Sequence, residues 1–470
     1  MRIGIALYSF YKAAYVGGVQ SYVHSLLQNL LNLGTGDQYV LLIRMEAHQH
    51  FEGLLKSWNI DHAGVEFTTV PFDADPYHPL LQAANIRNFL NRLSLDVLHF
   101  PIHWMYPQGV EVPTVLSPHD IQHVHFPHFF SNDELKFRER LTYASCKCAT
   151  TIVTQSQFMK DDLVQQLNLN PEKINVVPVA PDGIFQEPVT HSQLEDARNE
   201  YRLPHRFIYY PAQLWPHKNH VALIRVLSGL RRNNNLEIPL VLTGSRQTGY
   251  DAIAHEITAQ GLSRQVVFLD TIPFERLPAI YKLCHGVVLP SLYEGSSFPI
   301  LEAFATGTSV IASNIRPVRE LIGDEDFMFD PRNEEQMAEK IQRLWVDTSF
   351  YEKAKSHSSS QRGKYSWNKV AAKTLEVYRE AVLTSFPRHH DEAIVKRALN
   401  ARVEVIDDLR RRLAETEKAL EESERDRIAK EQVILELKEK TRVLMQELGA
   451  IRSGWGYRAS TWFRKTFRGG

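Results

Sequence analysis

Glu294 and Glu302 stand eight positions apart around a loop of small residues, Gly295, Ser296 and Ser297. Two carboxylates so placed can accept hydrogen bonds from sugar or ribose hydroxyls, and the loop between them can receive an anion. Pro299 suits a first helical turn, because its φ is fixed near the helical value and its missing N–H would have had no intrahelical partner. A helix is therefore expected over 298–305. The apolar run 286–290 before it reads as a strand buried on both faces of a parallel sheet. The loop is then a helix N-terminus, where the free amides of Gly295, Ser296 and Ser297 and the positive end of the dipole favour a phosphate. Taken alone, the glutamates would also fit a strand-end surface carboxylate and a solvated helix residue.

Lys218 offers the complementary charge. It follows the strand expected over 207–211 and precedes a helix, so its ammonium could neutralise a diphosphate whose charge grows as a sugar bond breaks. A lysine there with no anion to meet would oppose the helix dipole. Near the N-terminus, Gly17 and Gly18 lie between a buried strand over 3–7 and an amphipathic helix running to about Leu33. Strand, glycine loop and helix open a nucleotide-binding βα unit. His119, in Ser117-Pro118-His119-Asp120, directly follows the strand over 114–116 and so sits at the ligand edge of its sheet.

The glutamate stretch resembles the signature of retaining nucleotide-sugar glycosyltransferases, glycosyltransferase family four, of the two-domain GT-B type. Pro290-Ser291, Tyr293-Glu294-Gly295, Pro299, Leu301-Glu302-Ala303, Gly307 and Val310-Ile311-Ala312-Ser313 fall where that pattern has them. The resemblance covers about residues 1 to 385. It implies that Glu294 and His119 orient the donor sugar, that Lys218 and the loop amides hold the diphosphate, and that Glu302 holds the ribose. Gly17, Gly18, Gln213, Gly244 and Ile272 join the donor-binding set, with Gly244 and Ile272 in the loops around the nucleotide. Three positions depart. Ser296 and Ser297 replace the family's usual Phe and Gly, which puts the loop's shape in question, and Gln213 replaces an arginine, which leaves more diphosphate charge to Lys218. The implied reaction is metal-independent hexosyl transfer with retention and no protein nucleophile, so the glutamates are not read as a glycosidase acid/base pair. It needs no cofactor. The donor is GDP- or UDP-linked, the acceptor is a glycan or lipid-linked hydroxyl, and the setting is bacterial surface polysaccharide or lipopolysaccharide assembly, with mannosyl transfer one option. A nucleotide-sugar epimerase, a phosphorylase on the same architecture, or an inactive scaffold displaying a coil are the alternatives.

These residues need elements to position them, and the chain has room for several. Its 470 residues exceed one ordinary core. A net charge of −1 with 43% hydrophobic residues excludes a global attraction to nucleic acid. Three cysteines give neither a disulfide framework nor zinc spacing. His123, His125 and His128 lack accompanying cysteines or a tight carboxylate group, so no metal site is expected. With no signal peptide or apolar span of ~20 residues, the chain reads as cytoplasmic. Short apolar strands alternate with helical stretches through both halves. This predicts two Rossmann-like doubly wound domains over 1–185 and 186–368, joined by a linker near 181–204, with a crossover helix over 369–388 returning to the first.

Composition then shifts. Over 391–450, 28 of 60 residues are charged, with no proline and one glycine. Apolar residues recur at heptad positions, including Ile406, Leu409, Leu413, Leu420, Ile434, Leu437, Leu444 and Leu448. A coiled coil over 389–450 is expected, interrupted between Thr416 and Lys430, with homo-oligomerisation as its consequence. The last stretch, 451–470, interleaves Arg452, Arg458, Arg464, Lys465 and Arg468 with Trp455, Tyr457, Trp462, Phe463 and Phe467. That pairing of basic and aromatic residues suits an anionic membrane surface in preference to nucleic acid. It places the protein at the inner face of the cell membrane.

Overall fold

A computed structural model describes residues 1–8, 17–60, 64–71, 79–385, 411 and 434–443. The first half runs β1 (Arg2–Ala6), α1 (Gly18–Asn32), β2 (Gln38–Ile43), α2 (His48–Ser57), β3 (Val65–Thr69), α3 (Pro79–Leu90), β4 (Val97–Phe100), β5 (Thr114–Leu116), α4 (Gln122–His125), α5 (Asn132–Cys148), β6 (Thr151–Thr154), α6 (Gln157–Leu167) and β7 (Ile174–Val176). The second runs α7 (His191–Glu200), β8 (Ile208–Pro211), α8 (His220–Asn234), β9 (Leu240–Thr243), α9 (Tyr250–Ala259), β10 (Val266–Phe268), α10 (Leu277–Leu283), β11 (Gly286–Leu289), α11 (Phe298–Thr306), β12 (Val310–Ser313), α12 (Arg316–Ile322), β13 (Met328–Phe329), α13 (Glu334–Val346), α14 (Thr348–Gln361) and α15 (Trp367–Ser385).

Two parallel sheets result, in the orders β3-β2-β1-β4-β5-β6-β7 and β10-β9-β8-β11-β12-β13. Their central strands β4, β5, β6, β9, β11 and β12 are buried at every position, which is why they read as short, mainly apolar runs. α1 buries Tyr22, Val23, Leu26, Leu27 and Leu30, the face that its spacing by threes and fours sets out. α15 leaves the second half and packs on α1 and on β4, β5 and β6. There its Tyr378 hydroxyl bonds His99 Nδ1 at 2.6 Å.

The stretch expected as a linker is folded. Asp182 caps a short turn over Gly183–Phe185, and α7 follows, started by a capping box between Thr190 and Gln193 and packed on α10. A threonine three residues before a glutamine is a helix-start signal, and here it outweighs the loop-like composition. Strand β13 has no counterpart in the sequence reading, because two residues carry no periodicity. Of the heptad stretch, 434–443 is helical and Ile434 is buried. The rest, apart from Arg411, and all of 451–470 lie outside the described residues.

Candidate active site

In a doubly wound sheet, ligands bind past the carboxyl ends of the strands where the winding direction reverses. The reversals fall between β1 and β4 in one sheet and between β8 and β11 in the other. The loop after β1 ends at Gly17 and Gly18. The loop after β8 carries Gln213 and Lys218, and the loop after β11 carries Glu294 to Ser297. Strand order thus explains why candidates scattered through the sequence meet.

Lys218 closes a one-turn helix over Pro216–Lys218, and its Nζ donates to Glu294 Oε1 at 2.7 Å. Both side chains are mostly buried, at 20% and 10% exposure. The ammonium therefore already has a counterion at the place where a diphosphate would need it. Ser297 is the N-cap of α11, yet its side chain makes no capping bond. Its Oγ is buried and has no partner among the described residues, a state that costs ~1–3 kcal/mol. An unpaired hydroxyl beside the free amides of a nine-residue helix is a place prepared for an acceptor oxygen. Backbone φ at Ser297 is −126°, so this loop does not need glycine there. Gly295 is required for another reason: a Cβ on it would lie 2.0 Å from the His119 carbonyl oxygen. Ser156 Oγ also donates to the Gly295 carbonyl at 2.7 Å.

Glu302 lies in the second turn of α11 and is buried. The Tyr281 hydroxyl donates to its Oε2. Burial pushes its carboxyl from 4.5 up to about 7, Tyr281 pulls the other way, and nearby Asp182 adds to the rise. Tyr281 is absent from the sequence-derived candidates, since a tyrosine inside a short apolar helix gives no signal beyond core packing.

His119 is buried beside the Gly295 loop. Its Nε2 bonds the Pro101 carbonyl at 3.0 Å and its Nδ1 accepts from the Gln155 amide. Burial first, then neighbouring His103, lowers its pKa to about 3, so the ring is neutral. Both nitrogens are engaged, so a bond to a sugar would have to replace one of these. The ring meets Tyr22 edge-on at 4.8 Å. Tyr22 in turn bonds Ser117 Oγ at 3.1 Å, Ser117 bonds His99 Nε2 at 2.9 Å, and His99 bonds Tyr378 of α15. The crossover helix thus reaches the site through a buried chain of hydrogen bonds. Of the other histidines, His103 meets the His119 ring at 5.2 Å and His125 pairs with Asp162 at 2.8 Å; among the described residues no three His, Cys, Asp or Glu side chains converge as metal ligands.

The domains touch across the expected donor position. A Cβ on Gly17, whose φ is +133°, would lie 2.7 Å from Gln213 Nε2, and one on Gly18 would lie 3.3 Å from the Phe298 ring. Gln213 Oε1 accepts from Trp215 Nε1 at 2.8 Å. Gly244, at φ +142°, passes so close to the Ala212 carbonyl that a Cβ would sit 2.3 Å from its oxygen. Its amide donates to the Asp270 carbonyl at 2.9 Å, which ties together the ends of β8, β9 and β10. Ile272 is half-buried after β10. Gly244 and Ile272 thus stand on the β9 and β10 side of the cleft, and Glu294 on the β11 side.

Residues 16–182 match the family model Glycosyltransferase Family 4, and residues 193–361 match Glycosyl transferases group 1. The chain is 25% identical to O-antigen chain mannosyltransferase B of Escherichia coli over 64% of this chain and 78% of that protein. It is 28% identical to serotype-specific mannosyltransferase WbdA of Escherichia coli over 50% of this chain, a match spanning only 29% of WbdA. Among solved structures, HepE of Anabaena in complex with UDP and glucose aligns over 81% of this chain and all of its own, with a TM-score of 0.62 at 19% identity, a likeness of fold. Two paired parallel sheets, the glutamate loop at their meeting edge and both family matches give one assignment: the chain belongs to glycosyltransferase family four, with the GT-B fold.

Proposed function

We propose that the protein transfers a hexose from a nucleoside-diphosphate sugar to an acceptor hydroxyl, with retention at the anomeric carbon and without a metal ion or a protein nucleophile. The observation that carries this reading is the unpartnered Ser297 hydroxyl at the free N-terminus of α11, next to the Lys218–Glu294 pair. The leaving diphosphate gains negative charge as the sugar bond breaks. Fixed amides, a hydroxyl and an ammonium aimed at it in a water-poor cleft stabilise that state more than the ground state. Lys218 would be shared between diphosphate and Glu294. The second Glu294 oxygen would then be open to sugar hydroxyls, and Glu302 to the ribose. Gly17 lies against Gln213, so a donor held where these two residues meet would be shielded from water.

Mannose is the sugar that the named relatives support, with surface polysaccharide assembly as the setting. No helix among the described residues is long and apolar enough to cross a membrane. Contact with a lipid-linked acceptor at the cytoplasmic face would fall to the basic aromatic stretch 451–470, multiplied by self-association through 389–450. The test is release of nucleoside diphosphate from GDP-mannose, compared with UDP-linked sugars, together with the anomeric configuration of the product by NMR. Transfer with an inverted product would overturn the mechanism. Isomerised nucleotide sugar without acceptor would overturn the reaction class.

A further inference from the structure

Past Glu294, on the side away from Gly244 and Ile272, a cavity of about 330 Å³ opens between the two domains. Strand order places it there. β12 and β13 lie beyond β11, so the segments that follow them, bearing Arg316, Arg319 and Arg332, flank Glu294 opposite the nucleotide side. The first domain contributes aromatic walls, Phe126 and Phe158, which face Tyr293 of the second.

The charges around this cavity do not cancel. Arg316 pairs with Asp161 of α6. Glu320 accepts from the amides of Gln157 and Phe158, at 2.9 and 2.7 Å, and so caps the start of α6 from across the cleft. Glu294 holds Lys218. With these carboxylates engaged, the only partner of the Arg319 guanidinium among the described residues is the Asn314 side chain, at 3.4 Å. The Arg332 amide donates to Asp330 Oδ1 at 2.9 Å, but its guanidinium forms no ion pair among the described residues. Two exposed guanidinium groups thus meet at an aromatic-walled cavity beside the residue proposed to hold the transferred sugar. A guanidinium presents a planar fork of donors that matches phosphate oxygens, while aromatic walls suit the apolar face of a sugar ring. The volume is in the lower range of small-molecule sites, ~300–1,000 Å³.

We infer that this cavity is a subsite for an acceptor saccharide bearing a phosphate, with the anion on Arg319 and Arg332 and the ring against Phe126 and Tyr293. The term acceptor rests on the transferase reading; the preference for a phosphorylated sugar does not. The test is calorimetric titration of mannose-6-phosphate, mannose and inorganic phosphate into the full chain, with GDP or UDP saturating the donor site. Mannose-6-phosphate should bind at least about tenfold tighter than mannose or phosphate. The double variant Arg319→Ala/Arg332→Ala should lose that preference while binding nucleoside diphosphate as the wild type does, which also shows that it is folded. Equal affinities for the three probes, or a preference surviving in the double variant, would overturn the inference. Failure of both GDP and UDP to bind would count against the donor site instead, and the same comparison of probes would still decide the cavity.

Discussion

Replacing Glu302 by glutamine isolates the cost of placing a carboxylate on the buried face of α11. Its carboxyl is raised from 4.5 to about 7, chiefly by burial. A rise of that size corresponds to ~3 kcal/mol of difference between the charged and neutral forms. The sign follows from proton binding. Between pH 4.5 and 7 the folded protein holds a proton here that the unfolded chain has released, so this group's contribution is intact below about pH 4.5 and is lost as pH rises through 7. In Glu302→Gln the side-chain amide cannot ionise, and its carbonyl can still accept from the Tyr281 hydroxyl. Parallel guanidinium unfolding of both proteins should therefore show the variant gaining on the wild type by up to ~3 kcal/mol between about pH 4.5 and pH 8. The difference between the two curves removes every other titrating group common to both. A gap that does not change with pH, or one that moves in the wild type's favour, would refute the reasoning.

Ser297→Ala removes a buried hydroxyl that has no partner among the described residues. It should leave the melting temperature of the ligand-free protein unchanged or higher, yet weaken nucleoside diphosphate binding severalfold; a lower melting temperature with unchanged binding would make the hydroxyl structural. Gly295→Ala drives a methyl into the His119 carbonyl, so small-angle scattering should show the domains parted and the rate of transfer should fall at least about tenfold. Truncation after Pro387 should give a monomer by light scattering that transfers to soluble acceptors but no longer floats with anionic liposomes. Deleting only 451–470 should abolish flotation without dissociating the oligomer.

Much of the architecture was legible because both sheets are parallel and buried. Each strand appears as a short apolar run at its own place, and the bounds of β4, β5 and β9 follow directly from composition. The grouping of the candidate residues was legible for a related reason. A motif such as Glu294 to Glu302 is local, and the topological rule brings Gly17, Lys218 and Glu294 to one edge without any knowledge of contacts. Partners that depend on tertiary approach were not legible. Nothing in Ala279-Ile280-Tyr281 marks Tyr281 as the donor to Glu302. Nor does Ser-Gln at 156–157 show that its serine would hold Gly295 and that Glu320 would cap its helix from the other domain. His119 was placed correctly at the strand end. The engagement of both its nitrogens depends on Pro101 and Gln155, which lie on neighbouring strand ends rather than nearby in sequence.

The most direct test of the account is equilibrium titration of GDP and UDP into the wild type and Lys218→Ala at one pH and ionic strength. The claim is that Lys218 and the N-terminus of α11 hold the diphosphate of a donor. It predicts saturable binding of one nucleotide by the wild type, and affinity reduced at least about tenfold, ~1.4 kcal/mol or more, in a variant whose unfolding curve is otherwise normal. Equal affinity in the two proteins, or no binding of either nucleotide to the wild type at millimolar concentration, would contradict it.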